Sequence, residues 1–183
     1  MQHAESIAPH RAHMPEGTQR ILNARSLQTA HQRLVALLRP GLTVLDIGCG
    51  TGVITRDIAA AVAPHGRVVG VDVNVALIEE ARQVHGAVPA LTFEVCDVYT
   101  LPFRAAFDLV SAARVLQWLV HPLDAVRMLV AATKPGGQVI LLDYNHEKIA
   151  WDPAPPVSMQ TFYTTFLRWR ADAGMDNAIV DHL

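Results

Sequence analysis

LTVLDIGCGTG, residues 42–52, is an apolar, β-branched run that breaks into three alternating glycines. A short run that is apolar on successive residues predicts a strand buried on both faces of a sheet, and the glycines predict a tight loop after it. Gly48, Gly50 and Gly52 let the backbone turn sharply and approach a ligand with no Cβ in the way. Ile54, Ile58 and Val62 then recur at helical spacing as far as Pro64-His65-Gly66. The loop therefore feeds a helix N-terminus, where free N–H groups and the dipole favour a negative group. Asp46 precedes the first glycine by two residues and sits at the C-terminal end of the strand, the end at which open α/β sheets bind ligands. The dinucleotide fingerprint G-x-G-x-x-G needs a glycine where Val53 stands, which weighs against a nicotinamide-dependent oxidoreductase.

The same alternation continues outward. RVVGVDV (67–73) reads as a second buried strand, and Leu77, Ile78, Ala81 and Val84 mark a helix after it. ALTFEVCDV (90–98), FDLVSAARVL (107–116) and QVILLDYN (138–145) read as three more strands. A helix opens at His121-Pro122, carries Leu119 or Leu123 with Val126 and Val130 on one face, and closes at Lys134-Pro135-Gly136-Gly137. Upstream, Leu27, Ala30, Leu34, Leu37 and Leu38 share one face of a helix expected over 18–39, with His31 on its polar side. Met159, Phe162, Tyr163, Phe166 and Leu167 predict a last amphipathic helix. Strands alternating with helices imply an α/β fold, a doubly wound parallel sheet covered on both faces.

Composition narrows the function. The 183 residues are 51% hydrophobic and 17% charged, enough to build one core and too apolar for disorder. Fifteen basic against seventeen acidic residues leave a net charge of −2, so no strong basic field holds nucleic acid. No apolar run approaches the ~20 residues of a membrane helix, and the polar, Pro-broken opening is not a secretory signal. Two cysteines cannot make a disulfide scaffold, and a cytoplasmic setting is expected. His3, His10 and His13 lie in an expected N-terminal arm (1–17), where no further ligand completes a metal set.

At the strand ends, Asp72 follows Gly52 by twenty residues, where a carboxylate accepts from both hydroxyls of a ribose. A helix cap or an exposed strand-end charge is the plainer alternative. Asp97 after the third strand suits an adenine amino group, with the Val98 N–H beside it; a solvated turn aspartate is the alternative.

VLDIGCGTG (44–52), VGVDVN (69–74), CDVYTLPF (96–103), FDLVSAARVLQWL (107–119) and KPGG (134–137) together resemble the class I S-adenosylmethionine-dependent methyltransferases, in order and in spacing, over about residues 34–145. The likeness is strongest to the small-molecule group that includes the quinone-biosynthesis enzymes. It implies a Rossmann-like sheet of strand order 3-2-1-4-5 and S-adenosyl-L-methionine as cofactor. It also implies a small-molecule methyl acceptor and a methyl transfer by in-line displacement. On the resemblance, Gly48, Gly50 and Gly52 would line the methionine and ribose, and Asp46 would hold the amino group. Asp72 would bind the ribose diol with Val73 beside the adenine, and Asp97 and Val98 would read the adenine edge. Ala113 and Arg114 would flank the methionine, with Arg114 pairing either the cofactor carboxylate or the acceptor. In that strand order Cys49 and Cys96 fall about 10 Å apart, too far for a disulfide, and read as two small buried thiols.

Acceptor-pocket candidates follow the fourth and fifth strands: Gln117, Trp118, Asp143, Tyr144 and His146, with Trp151 and the Phe162/Phe166 helix as a roof. No catalytic base is assigned, and a solvated loop histidine is the plainer reading of His146. A domain of this class that binds cofactor or a partner without catalysis is the competing function. The family sheet usually ends in two further strands, 7 and 6, and here their pattern is missing. Residues 18–183 are thus expected to form one domain, with a cofactor core over 34–145 and a partial acceptor cap over 146–183. Strand five would be left as an edge. The chain as a piece of a longer protein, a homodimer covering that edge, and a natural shortened variant all account for this; the abrupt end fits the first best.

Overall fold

The computed structural model describes residues 18–183, so the expected arm 1–17 with His3, His10 and His13 lies outside the described residues. Five strands pair in parallel: β1 (Thr43–Ile47), β2 (Arg67–Asp72), β3 (Leu91–Val95), β4 (Phe107–Ala113) and β5 (Thr133–Leu142). Their order is β3-β2-β1-β4-β5, as the family resemblance implied. Alternation along the strands sends Val44, Val68 and Leu109 to one face and Leu45, Val69 and Val110 to the other. After α1 (Thr18–Asn23), the first face is covered by α2 (Leu27–Ala30), α3 (Gln32–Leu37), α4 (Val53–Val62) and α5 (Val75–His85), through Leu27, Leu34, Ile58, Ile78 and Ala81. The second is covered by α6 (Pro122–Ala132) and the C-terminal α8 (Ile179–His182), through Ala125, Leu129 and Ile179. In the chain α7 (Val157–Asp172) precedes α8. The chain leaves β3 at one edge and returns beside β1 as β4, which puts a topological switch point between β1 and β4 and a crevice at their C-terminal ends.

Four expectations change. The helix over 18–39 is three short ones. Ser26 caps a new start by accepting from Thr29 N (3.3 Å), and Asp57 Oδ2 of α4 takes Leu27 N (3.1 Å). The second break falls at His31 (φ −152°, ψ 59°), which turns its ring inward to 3% exposure. On α6 the buried face is Ala125, Leu129 and Ala132, with the expected Leu119 and Val126 packed against the same core, while Leu123 and Val130 face out; the small alanines let the helix sit close to the sheet. On α7, Met159 and Phe162 are exposed, so the expected apolar stripe is covered only in part, at Tyr163, Phe166 and Leu167.

The KPGG segment does not simply close a helix. It forms a bulge inside β5, between the pairs Phe107↔Thr133 and Leu109↔Gln138. Lys134 Nζ donates to Asp108 Oδ1 (2.9 Å) and Thr43 Oγ1 (3.1 Å), and Asp108 Oδ2 accepts from Thr43 N (2.9 Å) and Thr43 Oγ1 (2.6 Å). These bonds, led by the Thr43 hydroxyl, hold the Asp108 carboxyl down at about 2. A carboxyl depressed on folding stabilises the fold above its ordinary range near pH 4, and that contribution is lost as pH falls through about 2. Asp108→Ala is expected to cost about 1 kcal/mol, the half-exposed pair being screened by solvent. A lower urea midpoint at unchanged slope reads this loss, and the variant should lack the wild-type loss of stability between pH 4 and pH 2.

Among the described residues β5 pairs on one side only, and no helix is long and apolar enough to cross a membrane.

Candidate functional site

A cleft of about 740 Å³ opens where the C-terminal ends of β1, β2, β3 and β4 meet. Of the ten expected cofactor-site residues, nine line it: Asp46, Gly48, Gly50, Asp72, Val73, Asp97, Val98, Ala113 and Arg114. Gly52 does not, and packs instead into the core beneath the loop. A Cβ there would meet Phe93 Cζ at 2.6 Å and Ala81 Cβ at 3.1 Å.

The loop is held from β2. Gly48 N and Cys49 N donate to Val71 O (2.7 and 3.1 Å). Asp72 Oδ2 accepts from Gly50 N (3.0 Å), and its Oδ1 accepts from Asn74 N (2.9 Å). Asn74, not Asp72, caps α5. The Asp72 carboxylate also takes a backbone bond from Val73, and keeps part of its acceptor capacity for the cleft. Burial raises the Asp72 carboxyl, and the backbone N–H bonds pull it back. Asp46 is 6% exposed and accepts from Thr55 Oγ1 (2.7 Å). Burial pushes its carboxyl up to about 7, against the pull of the Thr55 hydroxyl, and the nearby Asp72 adds to the rise. Asp97 Oδ1 caps the turn at 98–100 by accepting from Tyr99 N (2.9 Å), and Val98 is buried beside it.

The thiols of Cys49 and Cys96 are free, and the two residues, expected as small buried thiols, line the cleft half-buried. Burial raises both, so they stay protonated at neutral pH. Among the described residues no group of three His, Cys, Asp or Glu side chains is arranged to hold a metal.

Arg114 follows β4 in the left-handed region (φ 62°). Its Nε donates to Tyr144 Oη (2.7 Å) and its Nη2 to Ala30 O (3.2 Å), tying the sheet to the break before His31. His146 is buried rather than solvated. Its Nδ1 is paired with Tyr163 Oη (2.9 Å) and its Nε2 with Gln117 Oε1 (3.0 Å), while burial and then Arg170 lower it to about 4. With both nitrogens engaged it serves as a strut between α7 and the turn after β4. Arg170, which the sequence reading passed over, is fully buried. It donates to Gln117 O (2.6 Å) and stacks under Trp118 and Phe166, 5.0 and 5.5 Å from their ring centres. Asp143 accepts from Gln117 N (3.3 Å) and does not line the cleft, so its carboxyl, raised to about 6 by burial, is removed from the acceptor candidates. The roof also shifts. Phe166 and Trp169 line the cleft, whereas Trp151 and Phe162 lie outside it. The signal for Trp169 was its place three residues after Phe166 on one helix face.

Residues 38–171 match a family model described as a methyltransferase domain. The chain is 37% identical over 112 residues to the ubiquinone/menaquinone biosynthesis C-methyltransferase UbiE of Ectopseudomonas mendocina, covering 59% of this chain and 44% of that relative. Among solved structures it is similar to a SAM-dependent methyltransferase from Aquifex aeolicus (TM-score 0.61, 22% identity, 72% of each chain). It is also similar to the [4+2]-cyclase SpnF (TM-score 0.54, 28% identity, 65% of this chain and 47% of that one). The chain spans less than half the length of the curated relatives it matches first, 36% and 44%.

Proposed function

The chain belongs to the methyltransferase-domain family, and from that premise we propose that it binds S-adenosyl-L-methionine and transfers its methyl group to a small-molecule acceptor by in-line displacement. The observation that carries the reading is the bond from Gly50 N to Asp72 Oδ2, which joins the glycine loop and the end of β2 into one cradle. The cradle fits the cofactor. A Cβ at Gly50 would meet only Leu22 Cδ1, at 3.8 Å, so the loop backbone is open to a ligand on its cleft side. Two carboxylates with spare lone pairs suit a diol at Asp72 and an ammonium at Asp46. When bound, the cofactor supplies a methyl group on a sulfonium, already a good electrophile. Asp46, Asp72 and Asp97 would fix its position, Gly48 and Gly50 would let the backbone approach, and Trp118, Phe166 and Trp169 would exclude water. Orientation of that kind is worth up to ~7–11 kcal/mol of barrier. Two free thiols are in keeping with a reducing, cytoplasmic setting, and a second copy would cover the open side of β5.

The test is calorimetric titration with S-adenosylhomocysteine across pH. An ammonium against Asp46 favours the carboxylate, so binding lowers a carboxyl that rests at about 7 and releases its proton. Affinity is therefore expected to rise about tenfold from pH 6 to pH 8, and Asp46→Asn should flatten the profile. Absence of binding by the folded chain refutes the cofactor assignment.

A second reading, cofactor binding without methyl transfer, is favoured by two observations. The hydrogen bonds of His146 leave it no free nitrogen, and a cyclase shares the fold. Transfer of a labelled methyl group to any acceptor in a metabolite panel decides against it.

A further inference from the structure

One corner of the cleft is short of negative charge. His31 lines it at 3% exposure, and neither of its ring nitrogens has a hydrogen-bond partner. Buried polar atoms are nearly always paired, so a cleft-lining imidazole with both nitrogens buried and unpaired points to a ligand that completes it. Arg25 and Arg114 line the same cleft. Among the described residues no carboxylate forms an ion pair with either. The Arg114 charge is felt at both neighbours, adding to burial in lowering Arg25 and His31. His31 therefore stays neutral near pH 7 and offers one N–H and one lone pair.

The corner also begins an aromatic wall. The Arg114 guanidinium lies 5.6 Å from the Tyr144 ring centre. Tyr144 meets His146 at 5.9 Å, His146 meets Phe166 at 6.0 Å, and Phe166 meets Trp118 at 6.4 Å. All four of these rings line the cleft.

We propose that His31, Arg25 and Arg114 hold an anionic oxygen of the methyl acceptor, and that the acceptor is a flat conjugated acid whose ring lies along the wall from Tyr144 to Trp118. The assignment to an acceptor, rather than to the cofactor's own carboxylate, follows from the continuity of the wall with the corner and rests on the methyltransferase reading. Guanidinium groups suit a carboxylate or an ionised hydroxyl, and successive rings set at 62–76° to one another offer edges and faces to a planar ring.

The test measures benzoate, 4-nitrophenolate and the neutral benzamide by calorimetry, on the chain with and without saturating S-adenosylhomocysteine. At least one anion is expected to bind about tenfold more tightly than benzamide, and the better anion identifies the acid group. His31→Phe and Arg25→Leu should each cut that preference about fivefold and leave S-adenosylhomocysteine affinity within about twofold. His31→Gln, which keeps a donor and an acceptor, stands in should the Phe variant not fold, with a drop of about threefold expected. Equal binding of anion and amide overturns the proposal, as does a preference that survives both substitutions. Loss of S-adenosylhomocysteine affinity in these variants gives the corner to the cofactor and overturns it too. Should wild type not bind S-adenosylhomocysteine at all, the cofactor reading falls on its own, and the anion preference of the free chain still decides the corner.

Discussion

Asp72→Ala is expected to weaken S-adenosylhomocysteine binding by at least about a hundredfold and to leave the fold in place. Two hydrogen bonds from ligand hydroxyls to a carboxylate are worth about 1.5–3 kcal/mol each. The same substitution frees Gly50 N and Asn74 N, so part of the loss is slackening of the glycine loop. Asp72→Asn separates the two contributions. Its amide keeps one acceptor oxygen for the loop and cannot accept from both hydroxyls, so its loss should fall between wild type and Asp72→Ala. Stability should change little, because burial already raises the Asp72 carboxyl and makes its charge costly in the free chain. Calorimetry beside a urea unfolding curve reads both quantities. A loss below about threefold in a folded Asp72→Ala chain would remove the ribose role from Asp72.

The strand ends were legible because the signals are local. A glycine loop after an apolar run, and carboxylates two residues before it and twenty after it, need only the period of a strand and the position of a turn. Nine of the ten expected residues accordingly meet in one cleft. The misreadings share a cause, contacts that come from far along the chain. His31 was set on a polar helix face because its own neighbours read as one helix. The break that turns it inward is held by Arg114 at Ala30 O, eighty-four residues away, and the break before it by Asp57 at Leu27 N, thirty away. His146 looked like a loop histidine, and it is buried by Tyr163 and Gln117, seventeen and twenty-nine residues away. The KPGG bulge depends on Asp108, twenty-six residues upstream of Lys134. Periodicity carries no information on such pairings. It fixes which face of an element is apolar, and it does not fix which polar group another element will bring to it.

Gly50 and Gly52 belong to one motif and are expected to fail in different ways. Gly52 has φ 78°, where a residue with a Cβ pays roughly 1–2 kcal/mol. Its Cβ would also stand 2.6 and 2.7 Å from the ring edge of Phe93 and 3.1 Å from Ala81 Cβ. The ring has little room to yield, since Phe93 is 4% exposed and its Cδ1 and Cε1 lie 2.9 and 3.0 Å from where a Cβ on Gly70 would be. Overpacking of this kind costs about 1–3 kcal/mol, so Gly52→Ala should lose about 3–4 kcal/mol in all. Adding Phe93→Leu should relieve the clash and leave the backbone cost, giving a favourable coupling of about 1–2 kcal/mol in a double-mutant cycle. Gly50→Ala should cost only the backbone share, because its Cβ meets nothing closer than Leu22 Cδ1 at 3.8 Å. That Cβ occupies the cleft, so the loss at Gly50 should appear in S-adenosylhomocysteine affinity instead. Unfolding midpoints and calorimetry on the same variants separate the two glycines. A Gly52→Ala chain as stable as wild type would refute the packing role, because Phe93 leaves no space for a methyl group at that position.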